Sequence, residues 1–212
     1  MVHSSGVDHH HSQDRLIHWA WAYDLLIGLR GRRGRRLREM FADDLQLRPG
    51  DRVLDVGCGP GRLAMVFAER VAPTGSVDGI DPAAEMIKRA TARARRHEMP
   101  VTFQVAVAQQ LPFSDATFDA VACTLALHHV ADDDQLMAVQ EMYRVLNPGG
   151  RLLIAEFRKA PGGLHLGFRR LRRFTVEGMV DKTLQMVGTS GFADARSGDT
   201  NLGWLGKITA RK

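Results

Sequence analysis

Residues 53–61, Val-Leu-Asp-Val-Gly-Cys-Gly-Pro-Gly, decide the fold. A short apolar run that ends in alternating glycines reads as a buried strand and a tight turn, with a helix starting near Arg62. Gly57, Gly59 and Gly61 let the backbone bend sharply and let a ligand approach main-chain N–H groups. Their spacing is G-x-G-x-G. A dinucleotide-binding turn has G-x-G-x-x-G, with its last glycine one place later. The difference points away from a pyrophosphate and towards a smaller cofactor. A glycine-rich strand–helix turn is also a common structural device, so the flanking sequence has to supply the rest.

Outward from the turn, apolar strands alternate with helical patterns. The first strand is 52–56 with a helix over 62–72. The second is 76–80 with a helix over 83–97. A third covers 101–106 and a fourth 118–124, followed by a helix over 133–146 that Asn147-Pro148-Gly149-Gly150 should stop. A fifth strand covers 151–157. A last helix over 175–189 ends at Gly191, and two strands remain near 193–198 and 203–210. This alternation predicts a doubly wound α/β domain, a mostly parallel sheet with helices on both faces and right-handed crossovers. Ahead of it, 1–14 reads as a disordered tail and 15–48 as a helical lid, leaving 49–212 as the α/β domain. Within the lid, 16–29 and 35–46 read as helices, interrupted by the arginine-glycine segment 30–36. Leu37, Met40, Phe41 and Leu45 share one face of the second helix.

Composition excludes several classes. The chain has 212 residues, enough for one domain with a full core. No apolar run approaches the roughly 20 residues of a membrane helix, and no signal peptide is visible. Its two cysteines, Cys58 and Cys123, give no disulfide framework and fit a cytoplasmic location. They read as small, half-buried residues. With no C-x-x-C pair, and His9-His10-His11 in a polar terminus, no metal site is expected. Net charge is +5, with arginines clustered at 30–38 and 169–173. The clusters read as solvated surface, with weak contact to an anionic membrane surface as the alternative. Sparse aromatics beside them argue against a single-stranded nucleic-acid platform.

Four features then fall at successive C-terminal strand ends, where ligands of open α/β sheets bind. The glycine turn opens a helix whose N-terminus suits an anion, and Asp55 within it can accept from an amino group. Asp81, in Gly79-Ile80-Asp81-Pro82, is placed to accept from both ribose hydroxyls of an adenosine; as an alternative it is a helix N-cap. Ala106–Phe113 follows the third strand. Cys123–Val130 follows the fourth, which should neighbour the first. Thr124 and Leu125 then face the reacting group, with His128 and His129 as candidate bases beyond them.

At these residues the chain resembles the class I S-adenosylmethionine-dependent methyltransferases, in the small-molecule group that includes the ubiquinone/menaquinone C-methyltransferases. The matching stretches are VLDVGCGPGRLA, GIDPAAEMI, LPFSDATFDAV, ALHHV and RVLNPGGRLLI, at 53–64, 79–87, 111–121, 126–130 and 144–154. The resemblance implies a Rossmann-like, seven-stranded sheet with its last strand antiparallel. It implies S-adenosyl-L-methionine as methyl donor, S-adenosyl-L-homocysteine as product, and a small, lipid-like or quinone-like acceptor. It implies cofactor contacts from Tyr23, Asp55, Gly57, Cys58, Gly59, Gly61, Asp81, Pro82, Met86, Val107, Ala108, Gln109, Thr124 and Leu125. One departure stands out. Where the family places an acid for the adenine amino group, this chain has Val107, so adenine would rely on backbone groups, on Gln109 or Gln110, and on Met86 and Ile87. Two other readings follow: an RNA methyltransferase, from the basic charge, and an inactive cofactor-binding interaction module, from the missing acid.

Overall fold

The computed structural model describes residues 31–158 and 178–212. The expectations for 1–30, Tyr23 among them, and for 159–177 lie outside the described residues. The chain falls into two compact units, 1–37 and 38–212. Only 31–37 of the first are described, as the opening of helix α1 (Gly31–Asp44).

In the second unit the order is β1 (Arg52–Val56), α2 (Arg62–Val71), β2 (Ser76–Asp81), α3 (Ala84–Arg96), β3 (Val101–Val105) and β4 (Phe118–Thr124). After two 3-10 turns, Leu127–His129 and Asp132–Asp134, come α4 (Gln135–Val145), β5 (Leu146–Phe157), α5 (Met179–Thr189), β6 (Ala193–Asp199) and β7 (Leu205–Arg211). The seven strands form one sheet in the order β3-β2-β1-β4-β5-β7-β6. The first five are parallel to one another, and β7 runs antiparallel to both β5 and β6. Side chains alternate across each strand. Leu54, Val56, Val121, Cys123, Leu152 and Ile154 join a core with Val139 and Met142 of α4 and Val187 of α5. On the opposite face α2 and α3 cover β1, β2 and β3.

Several boundaries differ from the sequence reading. The arginine-glycine segment does not interrupt α1, which begins at Gly31. Arginine is a good helix former, and Gly31 at φ 75 turns the chain into the helix rather than breaking it. Met40 is only half-buried, while Ala42 is fully buried beside Phe41. The Asn-Pro-Gly-Gly segment is not a free stop: α4 ends at Val145 and the segment is absorbed into β5 as an irregularity between Leu146 and Arg151. Gly149 N–H donates to Lys212 O, and Lys212 N–H to Gly150 O, so its backbone groups are used. Finally, Gly178 sits at φ 83 immediately ahead of α5, which starts at Met179 rather than at 175.

Charged side chains hold the loops that frame the sheet. Arg144 of α4 donates to Leu111 O and Phe113 O and pairs with Glu141 and Asp115; Glu141 in turn accepts the Leu111 N–H. The Leu-Pro-Phe stretch is thereby fixed to α4. Near the N-terminal ends of β1, β4 and β5 Asp119 accepts from Arg52 N–H and from the Asn147 side chain, and Arg151 reaches Asp51, Gln46 O and Asp119 O. Replacing Arg144 by Met leaves the Leu111 and Phe113 carbonyls and Glu141 without their donor. It should lower stability by about 2 kcal/mol, read as a fall in the urea midpoint at unchanged m-value.

Candidate cofactor and active site

All three glycines of the turn are in the left-handed region, at φ 69, 50 and 74 for Gly57, Gly59 and Gly61. Two of them are glycine for a further reason. A Cβ on Gly57 would lie 2.3 Å from the Ala126 Cβ, in the loop after β4. A Cβ on Gly61 would meet Phe103 and Ala90 at 2.8 and 2.9 Å, so this glycine lets α2 open close to α3. A Cβ on Gly59 would meet nothing within 4 Å, so the ground above it is open. Gly79 on β2 is forced in the same way, with Phe103 2.6 Å from a would-be Cβ.

Asp81 joins the turn to β2. One carboxylate oxygen accepts the Gly59 N–H and the other the Ala83 N–H, both at 2.9 Å. The N-cap of α3 is Ala83, which brings no side-chain cap, so Asp81 closes a local turn two residues ahead instead of capping the helix. Each oxygen keeps a lone pair for a further donor. Burial raises its pKa, opposed by the two backbone donors. Cys58 N–H donates to Ile80 O, and Arg93 of α3 donates to Pro60 O, so the turn is held from β2 and from α3.

Asp55 is 1% exposed, and neither carboxyl oxygen has a hydrogen-bond partner among the described residues. Burial pushes its pKa up to about 8, with help from the Asp81 charge; the Ala64 N–H at the start of α2 opposes the shift. Gly61 brings no side chain to cap that helix. A buried orphaned carboxyl beside an uncapped helix start is the polar vacancy that a zwitterionic amino-acid group fills, because it brings an ammonium for the acid and a carboxylate for the N–H groups. With the open ground over Gly59 and the spare lone pairs of Asp81, the residues fit S-adenosylmethionine.

The other predicted residues divide. Met86 is buried and Ile87 half-buried, on the first turns of α3. Val107 is 39% exposed, in a one-pair bridge with Gln110 that also brings Ala108 and Gln109 into a tight turn after β3. Thr124 ends β4, and Leu125 follows at φ 53, a conformation rare for a branched side chain, with its N–H given to Ala155 O. Cys58 and Cys123 are fully buried, at 7% and 1%, rather than half-buried, and burial raises both thiol pKa values. Among the described residues no cluster suited to a metal ion exists.

The two histidines separate clearly. His128 has its Nδ1 2.8 Å from Glu156 Oε2, and its backbone N–H donates to Glu156 Oε1 at 3.3 Å. His129 lies against it with the rings tilted by 44° and their centroids 4.1 Å apart, and burial with the His128 neighbour pushes its pKa down to about 4. Glu156, on β5, is completely buried. Nothing in the motifs singled it out; its one trace in the sequence is that it is the acid in the apolar run Leu152–Phe157.

A family described as a methyltransferase domain matches residues 53–150, the stretch that builds this site. The chain belongs to the class I S-adenosylmethionine-dependent methyltransferases. Among methyltransferase relatives, a demethylmenaquinone methyltransferase of Symbiobacterium thermophilum is 40% identical over 56% of this chain and 47% of its own length. The 27-O-demethylrifamycin SV methyltransferase of Amycolatopsis mediterranei is 38% identical over 65% of this chain and 50% of its own. The chain thus spans about half the length of these methyltransferases. In fold, it is similar to the [4+2]-cyclase SpnF, with a TM-score of 0.69 at 23% identity, over 84% of this chain and 80% of that one. Methyltransferase architecture therefore does not by itself fix the reaction, and the site has to.

Two predictions test this geometry without ligand. Gly57→Ala should cost about 3 kcal/mol through the clash and the positive φ, and Gly59→Ala about 1 kcal/mol through φ alone, both measured by urea unfolding. Because its folded pKa is raised, Asp55 contributes stability below pH 4 that is lost as pH rises to about 8. Asp55→Asn should remove this loss, so the variant gains stability relative to wild type across that window, read from paired unfolding curves.

Proposed function

We propose that this protein transfers a methyl group from S-adenosylmethionine to a small-molecule acceptor. The observation that carries the reading is the left-handed turn tied to Asp81, open over Gly59, with the unpartnered Asp55 carboxyl beside it. Asp55 and the start of α2 would hold the amino-acid end of the cofactor, with Gly57, Cys58 and Gly61 shaping the turn. Asp81 and Pro82 would hold the ribose. Met86, Val107, Ala108 and Gln109 would line the adenine site, with backbone groups in place of the absent acid. Thr124 and Leu125 would border the reactive end, and the resemblance adds Tyr23.

The bound cofactor supplies an electrophilic methyl carbon on a sulfonium leaving group. The protein's own task is to align the acceptor and to exclude water. The relatives named for demethylmenaquinone and demethylrifamycin support a sizeable organic acceptor rather than a macromolecule. Arginines outside the clusters at 30–38 and 169–173 have work within the protein: Arg89 pairs with Glu85, Arg93 bonds Pro60 O, and Arg144 and Arg151 brace loops. No helix among the described residues is long and apolar enough to cross a membrane.

Calorimetry with S-adenosylmethionine and S-adenosylhomocysteine tests the reading. Both should bind. Asp81→Ala should weaken binding at least 100-fold, while Gly59→Ala should weaken it far more than its small stability cost explains. Wild-type protein that binds neither ligand at millimolar concentration would overturn the assignment.

A further inference from the structure

The strand order says where the far end of the cofactor falls. The sheet runs β3-β2-β1, the glycine turn follows β1, and Asp81 ends β2. With the amino-acid end at the turn and the ribose at Asp81, the base would continue to the end of β3. Ala106 N–H donates to Asp81 O, which holds the turn after β3 beside Asp81. Residues 105–110 are Val-Ala-Val-Ala-Gln-Gln, so this turn brings no carboxylate to a 6-amino group. Val105 and Val107 are 55% and 39% exposed. The first turns of α3 add buried Met86 and half-buried Ile87. Glu85, one residue before Met86, pairs with Arg89 along the helix. The Val107 carbonyl already accepts the Gln110 N–H. The Gln109 and Gln110 amides can turn either end to a ligand, so they set no requirement for a donor. Among the described residues β3 is the edge strand, and no strand lies beyond it.

We infer that position 107 sets the base selectivity of the donor site, and that with valine there the site takes donors whose 6-amino group is alkylated or missing. This rests on the methyl-donor reading above. A site built to bond a ligand N–H rejects the analogue that lacks it, because its own acceptor is left unpaired. A carboxylate at 107 would be such an acceptor, and of the strong, charge-assisted kind. An apolar wall has nothing to leave unpaired. The exposed methyl groups of Val107 instead give an alkyl substituent apolar surface to cover. Binding then rests on the ends held at Asp55 and Asp81 and on apolar contact with the face of the base. Main-chain N–H groups can still donate to the ring nitrogens, which these changes leave in place. The chain reads the donor's amino-acid and ribose groups closely and its base loosely.

Calorimetry on the whole chain tests this with S-adenosylhomocysteine, its 6-desamino (purine) analogue and its 6-dimethylamino analogue. Neither analogue has an amino hydrogen to donate, and only the second adds bulk. Both should bind within about fivefold of S-adenosylhomocysteine. Val107→Asp supplies an acceptor at an exposed position, where the fold should tolerate it. It should tighten S-adenosylhomocysteine about tenfold and neither analogue, so that both ratios open by that factor. Val107→Asn, whose amide can turn either way, should fall between. In wild type, a desamino analogue weakened by more than this fivefold would overturn the claim that the amino group goes unread. A dimethylamino analogue alone so weakened would overturn the room for alkyl groups. Unchanged ratios in Val107→Asp would overturn the placing of the base against position 107. Binding of none of the three overturns the methyl-donor reading and this inference with it, whereas binding of S-adenosylhomocysteine alone overturns only this inference.

Discussion

Gly57 has no room for a side chain because Ala126 lies against it, and much of the site follows from that contact. It sets how closely the loop after β4 can approach the turn after β1. Parallel pairing of these two strands brings their ends level, Val56 opposite Cys123, so the loops must cross over or around one another. A glycine on one side and an alanine on the other allow the tight solution. Asp81 then fixes the turn from β2, through the Gly59 N–H, and Arg93 fixes it from α3 through Pro60. The turn is braced on three sides, which is why one buried acid, Asp55, can be left without a partner in its midst.

Much of this architecture was legible in the sequence. The glycine spacing located the turn because three left-handed residues in five positions admit little else. The apolar runs located β1 and β4 to the residue, since strands buried on both faces are mostly apolar. Segments whose conformation is set by distant partners were not legible. Asn-Pro-Gly-Gly looks like a helix stop, yet its shape follows from Asp119 and Lys212, which the local pattern cannot reveal. Asp81 reads as a ribose ligand, with a helix cap as the alternative. Its true bonding, to a turn 22 positions earlier, depends on the pairing of β1 with β2. Glu156 was missed because an acid near the end of an apolar strand resembles a boundary residue; only the fold brings His128 over it.

Some of the arginines serve the fold itself. A formal charge of +5 suggests a partner of opposite sign. In the fold, Arg144 and Arg151 act as struts, each bonding both to backbone carbonyls and to carboxylates. A planar guanidinium can satisfy several acceptors at once, which suits it to hold irregular loops where no regular ladder exists. Part of the basic balance is therefore a property of how the loops are built.

The Gly57–Ala126 contact also sets a limit on divergence. Position 57 is already the smallest residue, so it cannot yield space if 126 enlarges. Variation in the loop after β4 has to begin beyond Ala126 and the buried Leu127, where a change does not press on the turn. A lineage built on this scaffold can exchange acceptors while its donor site stays fixed, and a designer seeking new acceptors would start from the same position.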